Sequence, residues 1–312
     1  MLMGLIGDLK TEVKSHRRLY RWCTYIRHPY VFRRDLEARS LRRGLLAAGP
    51  DELAIGSNVC NHVIVSLTSY GKRLGDVSLA VRSILRQSLK PDEVVLWIEE
   101  AADSSLVPAD LKELESYGLD IRYGSKNLRG HKKYFWALRE FSDSCVITID
   151  DDVMYPSDTV ESLMKAHERY PEAVVGRRVH RMTLIGDKLA PYVDWGFEWT
   201  ESNAPRMDLM ATGVGGILYP PHCFDAAAFD LDAIERTSLS NDDIWLKAQE
   251  LMAGRGVAWA PCSIVHPYEI VPEQEDGLCD VNVGLGGNDK SISLVERELG
   301  ISFADFIGQE RG

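Results

Sequence analysis

The run Cys145-Val146-Ile147-Thr148-Ile149 is followed directly by Asp150-Asp151-Asp152, and these two stretches together indicate a fold and a site. A short run rich in β-branched residues predicts a buried strand. Three carboxylates at its exit repel one another and require compensating positive charge, which a divalent cation bridging to a phosphorylated ligand would supply. The alternative is a solvated acidic turn, because aspartate is common in turns.

Strand and helix patterns alternate on both sides of this stretch. Strands are predicted at Val63–Leu67, Val94–Ile98 and Leu119–Tyr123, and helices after Asp76, near 108–117 and over His131–Phe141, Ile244–Met252 and Ser291–Leu299. This alternation predicts an α/β fold with a mainly parallel central sheet flanked by helices. Ligands of such sheets bind outside the carboxyl ends of the strands, which is where the three aspartates are expected.

Charge is distributed unevenly along the 312 residues, whose net charge is −11. Residues 1–50 carry +7, which leaves −18 for the remainder. The acidic body argues against a nucleic-acid partner, whereas the basic, helical head suits either peripheral contact with an anionic membrane or a protein-interaction module. We predict a basic helical extension at 1–56, followed by two halves of the main body at 57–160 and 161–312, the second of which includes C-terminal helices.

The cysteines and the hydropathy pattern bear on the compartment. Six scattered cysteines without CxxC or zinc spacing are typical of a reducing cytosol, and no apolar stretch reaches eighteen residues. The expected location is therefore cytoplasmic, with peripheral contact at the inner face of the membrane through residues 1–50.

Several segments in this order resemble the glycosyltransferases of the GT-A fold, close to the family-2-like group. They are Val63–Tyr70, Ser83–Asp92, Ile147–Asp152, Gly213–Gly216 and Asn241–Leu246. The resemblance implies a nucleotide-diphosphate sugar donor, with UDP-sugar favoured, and a Mn²⁺ or Mg²⁺ cofactor. It also implies that 57–160 is a nucleotide-sugar-binding half and 161–312 an acceptor-binding half.

For the metal, the resemblance implies a DxD motif at Asp150 and Asp152. Asp152 would ligate the ion, and Asp150 would contact the donor ribose or the metal shell. Asp151 is counted among the donor-binding residues, although neighbouring side chains in extended backbone face opposite ways. His266 matches the histidine that completes this site in many relatives, and the alternative is a hydrogen-bonded structural histidine.

For catalysis, the resemblance implies an acidic pair at Asp242 and Asp243, with Asp243 at the position of the general base. An inverting transfer needs one carboxylate to take the proton of the acceptor hydroxyl. The commoner pair is Glu-Asp, so either aspartate is a candidate. Capping of the following helix by Asn241 or Asp242 is the alternative, and both roles are compatible.

For the donor, Thr68, Tyr70 and Arg73 follow the first strand where GT-A enzymes hold the nucleobase, and Glu99 would accept its imide N–H. Lys132 and Lys133 would hold a phosphate at a helix N-terminus or form a solvated basic face. Gly215 and Gly216 would allow the sugar or diphosphate to approach the backbone closely, or would mark a bulged strand pair.

Two further groups concern the acceptor and closure of the site. Trp195, Trp199 and Trp245 either line an acceptor groove or pack in the core. Gly284–Asp289 is either a mobile lid or a connector.

Together these features predict a metal-dependent inverting glycosyltransferase that acts on a hydroxyl of a glycan or lipid-linked glycan. The alternatives are a sugar-nucleotide nucleotidyltransferase, for which Ser69–Gly75 is a poor match to the required loop, and a non-catalytic carbohydrate-binding relative.

Overall fold

A computed structural model describes residues 28–56, 62–99, 107–124, 126–262, 264–270 and 286–308. The chain divides into two compact units, Met1–Ala47 and Ala48–Gly312. In the first unit, the structure describes helix α1, Pro29–Ala47, which begins with a proline, a residue that is common at the first position of helices. The predicted boundaries at 56/57 and 160/161 stay predictions.

The strands of the second unit form one large sheet and three small ladders. In chain order they are β1 Val63–Thr68, β2 Glu93–Glu99, β3 Leu119–Gly124, β4 Cys145–Thr148, β5 Val153–Met154, β6 Val174–Gly176, β7 Val179–Arg181, β8 Leu184–Ile185, β9 Lys188–Leu189, β10 Leu209–Ala211, β11 Ile217–Tyr219, β12 Val257–Trp259 and β13 Tyr268–Glu269.

The large sheet has seven strands in the order β12-β6-β11-β4-β1-β2-β3. Strand β11 is antiparallel to both of its neighbours, and the other adjacent pairs are parallel. Strands β1, β2 and β4 consist largely of buried apolar residues, as expected for strands covered on both faces, whereas the edge strand β3 is more exposed. The predicted α/β fold with a mainly parallel sheet is confirmed.

Helices follow the strands and cover the sheet. They are α2 Ser78–Leu85, α3 Ala109–Glu113, α4 Lys132–Phe135, α5 Ala137–Glu140, α6 Thr159–Arg169, α7 Leu231–Thr237, α8 Asp242–Met252, α9 Gly287–Leu299 and α10 Phe303–Gly308. No described helix is long and apolar enough to cross a membrane.

Three sequence predictions about helices were inexact. Asp76 does not cap α2, because it ends a 3₁₀ turn, Gly71–Gly75, two residues before that helix begins. The predicted helix His131–Phe141 is divided into α4 and α5, which meet at Trp136. Helix α9 begins at Gly287, four residues before the predicted start, because it follows a left-handed residue at Gly286.

Candidate active site

The carboxyl ends of β1 and β4 lie side by side because these strands are parallel neighbours, with Ser66 opposite Thr148. The chain leaves β1 through Ser69 and leaves β4 through the three aspartates. The two exits therefore bring a hydroxyl and a cation from one loop against the acidic residues of the other.

Asp151 faces into this junction and is only 5% exposed. Its carboxylate accepts hydrogen bonds from Ser69 Oγ at 2.5 Å and from Arg73 Nη1 at 3.0 Å. Burial raises the pKa of Asp151, although both hydrogen-bond donors oppose that rise. Asp151 therefore anchors the loop after β1, and its predicted contact with the donor stays a prediction.

Asp152 faces a more open environment, with a side chain that is 32% exposed. Arg73 Nη1 lies 3.3 Å from its Oδ2. Burial, followed by the charges of Asp150 and Asp151, raises the pKa of Asp152 to about 6. Arg73 is thus shared between Asp151 and Asp152, so it only partly neutralises the carboxylate of Asp152.

Lys133 connects the end of β4 to the start of α8. Its Nζ lies 2.8 Å from Asp150 Oδ1 and 3.0 Å from Asp242 Oδ2. Burial alone would lower the pKa of Lys133, but the facing aspartates hold it well above its ordinary value. Lys133 is therefore a permanently charged, buried bridge between two acidic groups.

Two glycines, which have no side chain, provide the space that the Lys133 bridge occupies. A Cβ at Gly213 would lie 2.7 Å from Lys133 Nζ, and one at Gly130 would lie 2.9 Å from Asp242 Oδ1. Any side chain at either position would press on the ion pairs, so glycine is required there for close approach.

Asp242 and Asp243 begin α8 but have different partners. Burial would raise the pKa of Asp242, yet Lys133 and His131 hold it below its ordinary value. Asp243 accepts a hydrogen bond from Gly213 N–H at 3.2 Å, and burial together with the charge of Asp242 raises its pKa to about 7. Asp243 is thus the carboxyl of the pair that can exchange a proton near neutral pH.

The site lies within a segment that matches a known family. Residues 69–220, just under half of the chain, match the family model described as Glycosyl transferase family 2. The chain has a family-2-like glycosyltransferase fold, with the mainly parallel sheet of a GT-A-like α/β protein. No curated protein gives a significant match.

Two solved structures show a distant likeness to this chain. A mannosyltransferase from Pyrobaculum calidifontis, solved in complex with GDP-Man and Mn²⁺, is 14% identical and has a TM-score of 0.45, with 86% of this chain and 81% of that chain covered. A 4-diphosphocytidyl-2C-methyl-D-erythritol synthase is 10% identical and has a TM-score of 0.40, with 69% of this chain and 95% of that chain covered.

The residues predicted to hold the nucleobase include one exposed ring, Tyr70, with two cations near it. Tyr70 is 47% exposed, and both Arg73 and Lys132 lie near its ring, at 5.7 and 5.9 Å from the centroid. Lys132 is buried and pairs with Glu99 at 3.1 Å, and Lys133 is buried as well. The two lysines therefore do not form a solvated face. Thr68 Oγ1 donates to the Trp97 carbonyl at 2.9 Å. Their roles in donor binding stay predictions.

His266 lies two residues before β13, which pairs with β5 just after the aspartate run. In the ladder between β13 and β5, Tyr268 is opposite Met154 and Ile270 N–H donates to the Asp152 carbonyl, so His266 lies beyond the far end of the ladder. Its Nε2 contacts Glu198 Oε1. Among the described residues, no three His, Cys, Asp or Glu side chains are grouped to hold a metal ion. Ligation by His266 stays a prediction.

The glycines and tryptophans have contacts within the protein. The backbone of Arg178 would lie 2.8 Å from a Cβ at Gly215, and Gly216 has a φ of +86°, so close packing and conformation account for both glycines. Trp195 and Trp245 are buried in the main core, whereas Trp199 is partly buried at its edge. For Trp195 and Trp245 the core alternative holds.

The predicted lid begins outside the described residues, at Gly284 and Leu285. From Gly287 onward the chain is helical, and Asn288 Oδ1 accepts a 2.6 Å hydrogen bond from Asn241 Nδ2. The side chain of Asn241 makes no capping hydrogen bond to α8.

Sequence reasoning overlooked several residues that support the site. Ser69 fixes Asp151, and the Tyr155 hydroxyl accepts the Asp150 N–H at 2.8 Å. Ser69 had a usable signal, since it follows the strand next to the aspartates. Tyr155 had none, because nothing local indicates that its ring turns back toward the aspartate run.

Proposed function

We propose that this protein is a metal-dependent, inverting glycosyltransferase that moves a sugar from a nucleotide-diphosphate donor, with UDP-sugar favoured, to a hydroxyl of a glycan or lipid-linked glycan. The observation that carries the proposal is the Lys133 bridge, at 2.8 Å from Asp150 and 3.0 Å from Asp242. It joins the candidate donor site at the end of β4 to Asp242, the acid next to the candidate base Asp243 at the start of α8.

The charge balance supports dependence on a metal. The site holds five carboxylates, at Asp150–Asp152 and Asp242–Asp243, and two cations, Arg73 and Lys133, which pair with four of them. An anionic diphosphate cannot approach this excess of negative charge unless a cation accompanies it. The oxygen donors suit Mg²⁺ or Mn²⁺, which need only one or two carboxylates when substrate phosphates complete the shell.

Two of these residues, Asp152 and Asp150, are suited to such an ion. Asp152, the more exposed acid of the run, would hold it, with Asp150 facing its shell or the donor ribose. The bound ion would neutralise the charge that develops on the nucleotide leaving group. Arg73 would keep the loop after β1 against the same aspartates through its contacts with Asp151 and Asp152.

Asp243 is the proposed general base. A base works best when its pKa lies near the operating pH, and burial beside Asp242 raises the pKa of Asp243 to about 7. Asp243 would accept the proton of the acceptor hydroxyl as the oxygen attacks the anomeric carbon. Gly213 N–H would hold its carboxylate in position.

Tyr70 is the proposed platform for the nucleobase, because its ring is exposed at the loop after β1. Lys132 would hold a donor phosphate, and Glu99 would accept the imide N–H of the base. Their ion pair fixes both side chains.

The experiment is a calorimetric titration of the protein with UDP, GDP and CMP, in Mn²⁺ and again in EDTA. We expect one nucleotide to bind in Mn²⁺ and to lose most of its affinity in EDTA. Asp152→Ala should reproduce the loss, whereas Asp232→Ala, which removes an exposed acid from the first turn of α7, should bind as the wild type does. Binding unaffected by EDTA would contradict metal dependence, and no binding at all would contradict the transferase proposal.

The proposal includes cytoplasmic location and peripheral membrane contact through residues 1–50. In the described part of this segment, α1 exposes Phe32, Leu36 and Leu46 among five arginines and two acids. Exposed apolar side chains within a basic helix suit an anionic lipid surface. Sedimentation with phosphatidylglycerol vesicles but not with phosphatidylcholine vesicles is the expected result, and equal sedimentation with both would contradict it.

A further inference from the structure

A bulge beside β7 displays two side chains that the proposed chemistry does not use. The segment 196–199 runs next to β7 and is held at both ends: Gly196 and Arg181 exchange backbone hydrogen bonds of 2.8 and 2.9 Å, and Trp199 N–H donates to the Val179 carbonyl at 3.0 Å. Between these contacts, Phe197 and Glu198 face the single residue His180. Two residues opposite one form a β-bulge, a feature that redirects side chains near active sites.

The backbone of Glu198 is strained. Its φ is +51°, in the left-handed region that residues with a Cβ avoid. Glu198 N–H donates to His180 Nδ1 at 3.1 Å, which holds this conformation against a buried ring. Such strain persists where the surrounding structure imposes it, and it is concentrated at functional sites.

Phe197 presents an open aromatic surface in a fixed position. It is 42% exposed, yet its ring packs edge-on against His180 at 4.7 Å and against Tyr192 at 5.5 Å. These contacts restrain the ring before any ligand arrives, which lowers the entropic cost of binding.

The charged groups next to Phe197 are balanced. Glu198 Oε1 contacts both Arg178 Nε, at 3.4 Å, and His266 Nε2. One carboxylate, one guanidinium and one imidazole offer donors and acceptors without a large net charge. Such a group suits a neutral polyhydroxylated ligand better than a phosphate or a carboxylate.

This cluster adjoins the candidate base. Arg178 Nη1 donates to Thr212 Oγ1 at 3.0 Å, and Thr212 N–H donates back to the Arg178 carbonyl at 3.0 Å. The next residue is Gly213, whose N–H donates to Asp243 at 3.2 Å. A ligand on the cluster would therefore be separated from Asp243 only by the turn that begins at Gly213.

We propose that Phe197, Glu198, Arg178 and His266 form a subsite for a neutral pyranose of the acceptor, with the apolar face of the sugar on Phe197 and its hydroxyls on Glu198 and Arg178. This inference rests on the proposed function for the identity of the ligand as an acceptor. A saccharide has alternating C–H and hydroxyl surfaces, which an open aromatic ring beside a balanced polar cluster complements.

The test is saturation-transfer NMR with the methyl glycosides of glucose, galactose, mannose and N-acetylglucosamine, without nucleotide and in EDTA. At least one glycoside should receive saturation at its ring C–H protons from the wild-type protein. Phe197→Ala and Glu198→Gly should each reduce that signal by about tenfold, the effect of losing roughly 1.4 kcal/mol of binding.

His222→Gly is the matched control. His222 is also exposed with a φ of +52°, but it pairs with Asp143 just before β4 begins. Glycine relieves the backbone at both positions. Glu198→Gly and His222→Gly should therefore each keep the wild-type Tm or exceed it. Of these two, only Glu198→Gly should lose the glycoside signal.

Either of two results would overturn the subsite: no glycoside receives saturation, or both cluster variants keep the wild-type signal. Nucleotide calorimetry on the same samples separates the two proposals. Nucleotide binding without a glycoside signal would leave the proposed function standing and remove the subsite. A glycoside signal that disappears in both variants, from a protein that binds no nucleotide, would support a saccharide site and remove the transferase.

Discussion

Two groups of aspartates meet at Lys133, and their charges are balanced in different ways. Asp150–Asp152 lie at the exit of a strand, where Arg73 reaches two of the three. Asp242 and Asp243 begin a helix, where Lys133 reaches only the first within ion-pair distance and a backbone N–H serves the second. Each group thus contains one acid that is less well neutralised than its neighbours.

The less neutralised acids are Asp152 and Asp243, whose pKa values are raised to about 6 and about 7. Burial is the largest cause for both, and neighbouring carboxylates add to it. Asp152 is open to a cation, whereas Asp243 has a proton to exchange. The difference between the groups suggests a division of labour, with donor binding at the strand exit and proton transfer at the helix start.

The largest effect is expected for Asp243→Asn. Losing a general base should lower kcat by about 10²–10⁴-fold, because amide nitrogen and oxygen cannot take the proton. Rates of sugar transfer under saturating donor check this. Asp232→Asn, an exposed acid in the first turn of α7, is the matched control and should keep its rate. A loss below tenfold for Asp243→Asn would remove Asp243 from the base role.

Lys133→Met should be the most destabilising of these changes. It would leave Asp150 and Asp242 facing each other without their shared cation, and breaking a buried ion pair costs about 3–5 kcal/mol. Urea unfolding measures the loss. Lys165→Met removes an exposed pair with Glu161 and should cost less than about 1 kcal/mol. Similar losses in the two variants would mean that the bridge contributes little.

Gly213→Ala should cost about 1–3 kcal/mol, because the new methyl group would press on an ammonium held by two aspartates. Gly308→Ala is the comparison, since no atom lies within 4 Å of a Cβ there and its φ is not positive. Thermal unfolding of both variants checks the difference. A Tm for Gly213→Ala at or above that of Gly308→Ala would show that the site has free space.

The smallest effect is a shift in pH dependence. The proposed base must be deprotonated, so kcat should fall as pH drops through about 7, the pKa of Asp243. The negative charge of Asp242 raises that pKa, so Asp242→Asn should move the acid limb toward lower pH by roughly one unit, or about 1.4 kcal/mol. A limb that stays in place or moves upward would contradict this coupling.

The sequence predicted the parts of the molecule that repeat a local pattern. Buried β-branched runs identified β1, β2 and β4, and parallel pairing then put the aspartates at the carboxyl edge. Interactions between distant segments could not be predicted from the sequence. Lys133 and Asp242 are far apart along the chain, and nothing local specifies their ion pair. The bulge at Phe197 and Glu198 was missed for a related reason, since glutamate does not signal a positive φ.

The division between the two acidic groups is tested most directly by measuring nucleotide affinity and turnover together in Asp152→Asn and Asp243→Asn. The account predicts that Asp152→Asn loses Mn²⁺-dependent nucleotide binding, and that Asp243→Asn binds the nucleotide within about twofold of wild type while losing turnover, because only a difference well below about 1.4 kcal/mol is expected in its binding. Retained binding in Asp152→Asn, or equal loss of binding in both variants, would contradict it.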